Sequence, residues 1–245
     1  MQRFFSTLPF SRTLRQLGSV ACAALLLVAC GGKGGDGGGG TPPAAAPSAG
    51  VFIDGPVMGL GYSTTSGLSG STNAAGEFTY RPGDMMTFNL GGRTVGNSVP
   101  GAPVITSLSV FGATSIADAR VVNLAQLFLG LGQVVNNVTQ LPSTIPAALP
   151  NPLNFSDQNF DTILQDAGIT LATEAEANAH LQGSFSTVSV TMSGPGSGNV
   201  TSTPAGINCS SGTCSAIFVN GNQVTLTPTG LFVGWSGGTG NAGGV

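Results

Sequence analysis

The chain has 245 residues, 39 of them glycine and 15 proline, and only 7% are charged; this composition argues against a compact helical protein and for strands and loops. Without its first 29 residues the chain keeps Lys33, Arg81, Arg93 and Arg120 against ten carboxylates, a balance of about −6. Nucleic acid is therefore excluded as a partner, because phosphate backbones need a basic face that this chain lacks.

Residues 1–29 read as an export signal. Arg3, Arg12 and Arg15 precede the apolar run Leu17 to Val28, which is too short to span a bilayer and shows no amphipathic face. Leu27, Val28, Ala29 and Cys30 resemble the lipobox of bacterial lipoproteins. The resemblance implies that Cys30 becomes the lipidated N-terminus, carrying palmitate-type acyl chains. In such lipoproteins an aspartate just after the cysteine retains the protein in the inner membrane; here that place is Gly31, so the resemblance implies the outer membrane. One acyl chain holds only marginally, at about 0.8 kcal/mol per buried methylene, so a multi-chain lipid is what makes the anchor durable. Residues 30–50, ending "GGKGGDGGGGTPPAAAPSAG", form a tether that reaches roughly 25 Å as a glycine-rich coil.

From residue 51 a meander of short strands is expected. "GEFTYRPGDMMTFNLGGRTVG" places apolar residues at Phe78 and Tyr80, then at Met86, Phe88 and Leu90, so one face of each strand is buried. Gly91 and Gly92 supply a two-residue hairpin turn, with further turns at Arg81–Asp84 and in "STNAAGEF". After Gly112 the period changes. Val121, Leu124, Leu127, Phe128, Leu131 and Val135 fall at helical spacing, with Ser115 or Asp118 as cap. A helix from a Ser156 cap to a Gly168 stop follows, then one with a capping box of Thr173 and Glu176 that ends at Gly183. The proline-rich segment before Ser156 is a loop.

"GPVMGLGYSTTSGLSGSTNAAGEFTYRPGDMMTFNLGGRTVG" with "VVNLAQLFLGL" resembles a module found near the N-terminus of many secreted bacterial proteins and lipoproteins. This covers residues 51–184 as one β-then-α unit. In that module an aspartate-rich segment often follows the helix, where calcium would bind; here the stretch is "GQVVNNVTQLP", too poor in carboxylates for a hard cation. No metal and no cofactor are expected.

Residues 185–245 form the second expected domain. Val188, Val190 and Met192, then Val224 and Leu226, alternate as strands do. "VSVTMSGPGSGNVTSTPAGINCSSGTCSAIFVNGNQVTLTPT" with "GWSG" resembles a divergent bacterial repeat related to the internalin B-repeat, which implies a small β-rich, ubiquitin-like unit. In that family a further strand follows "GWSG", whereas "GTGNAGGV" follows here, so an unpaired edge that accepts a partner's strand and a disordered tail over 237–245 are expected. With Cys22 leaving in the signal and Cys30 consumed by lipid, Cys209 and Cys214 remain, and an exported chain permits a disulfide between them. Two thiols without a second Cys or His pair do not complete a tetrahedral metal shell.

No constellation of an active site emerges. Gly234, Trp235, Ser236, Gly237 and Gly238 match G-x-S-x-G, but no His, Asp or Glu follows Ser236, so the match is spurious. His180 is the lone histidine and is expected near a helix C-terminus, where an imidazole meets the dipole favourably. Glu174 and Glu176 point to different sides of a helix, and Asp157 and Asp161 sit in a first turn. The expectation is an α+β, mainly β, non-enzymatic outer-membrane lipoprotein. It serves as a binding or adhesion module at the cell surface or in the periplasm, attached to the membrane by its lipid and open to a protein partner by strand addition; the alternative is a structural spacer or a remnant of a larger secreted protein.

Overall fold

The computed structural model describes residues 45–194, 197–231 and 234–236. Cys30, most of the expected tether and the 237–245 tail lie outside them. The architecture is mainly β, in several small and mostly antiparallel sheets with a few short helices.

Eight strands come first: β1 (Ser48–Ile53), β2 (Val57–Met58), β3 (Gly61–Thr64), β4 (Ser69–Ser71), β5 (Glu77–Tyr80), β6 (Met85–Leu90), β7 (Arg93–Pro100) and β8 (Val104–Thr106). Strand β1 is central to one sheet, antiparallel to β5 and parallel to β8. A second sheet has the order β4-β3-β6-β7. The alternation read from the sequence is present: Met86, Phe88 and Leu90 are buried on β6, Phe78 and Tyr80 on β5. Gly91 and Gly92, at φ 56° and 81°, make the two-residue turn that pairs Leu90 with Arg93, since a type I′ turn needs positive φ at both positions.

Helices cover these sheets. A short α1 (Ser107–Phe111), which the sequence reading missed, is closed by a capping box of Thr106 and Ser109 and stopped by Gly112 in the left-handed region. Helix α2 (Ala119–Leu131) takes Asp118 as its cap and buries Val121, Leu124, Leu127 and Phe128. The expected continuation to Val135 does not occur. Gly132 ends the helix, and the chain turns into a hairpin of β9 (Gln133–Val135) and β10 (Val138–Gln140) whose corner residues Asn136 and Asn137 have φ 52° and 63°. Asparagine tolerates this conformation better than most residues, so the Asn-Asn pair was a turn signal inside an apparently helical period.

Helix α3 (Phe160–Asp166) is shorter than expected at its start. Ser156 is not its cap, because side-chain turns occupy the chain there: Asn154 Oδ1 accepts from Ser156 N and Asp157 Oδ1 from Asn159 N. Helix α4 (Glu174–Ser184) carries the Thr173–Glu176 capping box and continues through Gly183 directly into the next strand.

A shared core of 29 buried apolar residues runs from Phe52 to Phe185. Phe52, Phe78 and Phe88 form its aromatic centre, with ring centroids 4.7 Å apart for Phe52–Phe88 and 5.4 Å for Phe78–Phe88. The remaining strands are β11 (Phe185–Thr191), β12 (Gly198–Thr203), β13 (Asn208–Cys209), β14 (Thr213–Val219) and β15 (Thr225–Gly230). They form a two-stranded sheet, β11-β14, and a three-stranded sheet, β13-β12-β15. Their own core has five buried residues: Val190, Val200, Ile207, Cys209 and Phe218. Phe185, Ile217 and Val219 instead pack into the larger core, which seats this lobe on the body.

Candidate functional site

Asp54 directly follows strand β1, and the chain reverses at Gly55, φ 71°. A Cβ at Gly55 would lie 2.6 Å from His180 Cε1, so glycine is required both by the backbone and by the imidazole. His180 projects from α4 onto this turn, where its Nε2 meets the main-chain oxygen of Asp54. Ser184, one turn on, donates its hydroxyl to the His180 carbonyl at 3.0 Å. The turn after β1 thus offers His180 a specific carbonyl, that of Asp54, a partner that a dipole argument does not identify.

The Asp54 side chain is fully buried beside Ser107, the first residue of α1, and both Asp54 carboxyl oxygens and Ser107 Oγ lack a hydrogen-bond partner. Burial pushes the Asp54 carboxyl up to about 7. The Ser107 hydroxyl works in the opposite direction, without a bond of ordinary geometry. A protonated carboxyl is the form such a place favours, because an unpaired charge there loses its hydration. "VFIDGP" was the only signal in the sequence, an aspartate closing an apolar strand.

A second aspartate shows the opposite treatment. Burial alone would raise Asp84, but Arg81 N, both the amide and hydroxyl of Ser66, and the Thr65 hydroxyl all donate to it and lower it to about 2. Asp84 therefore ties two turns together as a carboxylate.

Next to His180 lies a shallow surface groove of about 570 Å³, lined by Leu129, Gly130, Val134, Leu171, Glu176 and His180 among others. Its acid is already engaged: Thr173 donates both N–H and hydroxyl to Glu176 Oε2 at 2.8 Å, which holds that carboxyl low. Asp157 and Asp161 are not brought together as a pair, since Asp157 closes the turn before α3 while Asp161 Oδ2 lies 3.4 Å from Gln126 Nε2. Ser236 sits exposed in irregular chain. Among the described residues no group of three or more His, Cys, Asp or Glu could hold a metal ion, and no helix is long and apolar enough to cross a membrane.

Cys209 and Cys214 are joined, with Cα atoms 5.6 Å apart. The bond connects β13 to β14 and so staples one sheet of the lobe to the other. From Leu181 to Val245 the sequence holds no Asp, Glu, Lys, Arg or His, which limits the polar groups of the lobe's surface to hydroxyls, amides, the Trp235 indole and main chain, beside exposed Leu231. No family model, no curated protein and no solved structure matches this chain.

Proposed function

We propose that the protein is a non-enzymatic outer-membrane lipoprotein, a binding or adhesion module whose lipid on Cys30 holds a mainly β body clear of the bilayer. The observation that carries this reading is the seam at Leu27–Cys30, where an apolar run meets a small residue, a cysteine and a glycine tract. Several structural features support it. Strand β1, the middle strand of its sheet, begins at Ser48 and so takes up the last three residues of the expected tether, which runs the anchor line into a paired element. The lobe at the other end offers uncharged strand edges, the chemistry of partner capture by strand addition. Residues 51–184 act as the rigid mount, in keeping with the secreted module they resemble, and residues 185–245 as the contact unit, in keeping with the internalin-type repeat.

Replacing Cys30 by Ala tests the anchor: labelled palmitate is lost and the protein leaves the membrane fraction. Palmitate incorporation that persists in the variant would overturn the lipid assignment. Proteinase K applied to intact cells tests the exposure. Digestion of the body supports a surface module, whereas full protection until the outer membrane is opened moves the reading to a periplasmic spacer.

A further inference from the structure

The register of β11 against β14 determines which side of each strand is free. Met192 N donates to Gly212 O and Asn220 N to Ser184 O, and every β11–β14 pair from Phe185–Val219 to Thr191–Thr213 keeps that same offset. Even-numbered residues of β11 therefore bond to β14, while Thr187, Ser189 and Thr191 direct their N–H and C=O to the other side. Among the described residues no strand lies there, and the three side chains are exposed.

Three other edges are blunted or flanked. Strand β7 carries Arg93, a break at Gly96 with φ 64° and a terminal Pro100. On β15 the odd-numbered threonines face β12, because Ser202 N turns the even residues of β12 toward β13; Pro228 consequently faces outward and removes a donor from that edge. The outer edge of β14 runs beside α1, with Ser215, Ile217 and Val219 lining a groove together with Thr106, Leu108 and Ser109. Strand β11 has no proline, no glycine and no charge along its seven residues. It thus carries none of the sequence devices, proline, glycine or charge, by which edges resist pairing.

We infer that the β11 edge is a self-association surface, and that its partner is the β11 edge of a second copy of this chain, paired antiparallel about a two-fold axis at Ser189. This deepens the strand-addition reading above. Such a pairing sets Thr187 opposite Thr191 and Ser189 opposite itself, with about six main-chain hydrogen bonds between the copies. The hydroxyl pairs Ser189–Ser215, at 2.7 Å, and Thr191–Thr213, at 2.9 Å, then continue across the axis as one hydroxyl ladder. On the inner face Val188 meets Val190 of the second copy. A two-stranded sheet is marginal by itself, and the pairing makes it four-stranded. A neutral edge also selects this partner: it has no charge with which to attract an ionic surface, and none with which to repel its own copy.

Cysteine cross-linking of the full-length protein in its own membranes, with copper–phenanthroline as oxidant, reads the register. Ser189→Cys should give a disulfide-linked dimer on non-reducing gels, mapped to position 189. Thr187→Cys or Thr191→Cys alone should give at most one tenth as much, while the two co-expressed should link to each other. Equal cross-linking by Thr187→Cys alone would indicate random collision and overturn the pairing, as would the absence of any dimer from Ser189→Cys. Ser189→Pro removes an outward N–H and the exposed hydroxyl that meets Ser215 but no main-chain bond to β14, so it should leave the monomer folded by circular dichroism yet reduce co-purification of differently tagged copies at least tenfold. Unchanged co-purification would overturn the inference. Palmitate incorporation and protease exposure are measured on the same variants, so a lipidated, exposed protein that fails to cross-link sinks the pairing and leaves the binding-module reading standing.

Discussion

The body, residues 48–184, and the lobe, residues 185–231, are both strand-rich, but they are held together by different means. The body lays α2 and α4 over its strands and buries a continuous apolar core with a phenylalanine cluster at its centre. The lobe has no helix among its described residues, the core of its own holds only five buried apolar side chains, and a disulfide spans its two sheets. A layer of helix lets a short sheet bury a full face, whereas thin sheets of some fifty residues expose too much of theirs and rely on a covalent staple. The charges follow the same division. Every titratable carboxylate, guanidinium and imidazole of the described chain belongs to the body.

Three experiments probe that contrast. Phe88→Ala, which opens the aromatic centre against Phe52 and Phe78, should cost about 3–5 kcal/mol in urea unfolding; a loss below 1 kcal/mol would show that the body does not depend on this core. The second concerns pH. Below about pH 4 Asp54 is protonated in the folded and unfolded chain alike, and as pH rises toward 7 only the unfolded chain ionises, so body stability should fall across that window by up to roughly 4 kcal/mol. Asp54→Asn should flatten that slope. Asp84 acts with the opposite sign: its contribution is present above the ordinary aspartate range and lost as pH falls toward 2. Hydrogen exchange resolved by residue checks both, and the lobe, with no such groups, should show no intrinsic pH slope in stability. The smallest effect is expected from Cys209→Ser with Cys214→Ser, which removes a short closed loop worth roughly 2 kcal/mol in the chain-entropy account. Protection should fall over β12–β14 and persist over β1 and β6; an equal fall in both regions would mean that body and lobe unfold as one.

The legible parts of this fold are those in which one local rule acts alone. Alternation at Met86, Phe88 and Leu90, the Gly91–Gly92 turn, the Asp118 cap and the Thr173–Glu176 box each follow from neighbours a few residues away. Where two rules compete, the sequence misleads. Val135 keeps the helical period, yet Gly132 and the Asn136–Asn137 corner put it on a strand. Helix α1 is too short to show a period. The burial of Asp54 was hidden for a different reason, since it depends on α1 and α4 arriving from more than fifty and more than a hundred residues away. The free side of β11 likewise requires the pairing register, which no single strand reveals.

The charge-free stretch has a practical consequence for any protease the protein meets. Arg120 is the last lysine or arginine, so a trypsin-like enzyme has no cleavable bond over residues 121–245, and Arg120 itself is bound to Asp118 at 2.7 Å. Half of the polypeptide, including the entire lobe, is thus resistant by composition rather than by rigidity. Trypsin treatment of cells would report an untouched C-terminal half whether it were displayed or hidden. In a protease-rich setting the same property would let the contact unit outlast neighbours of equal stability that carry ordinary numbers of basic residues.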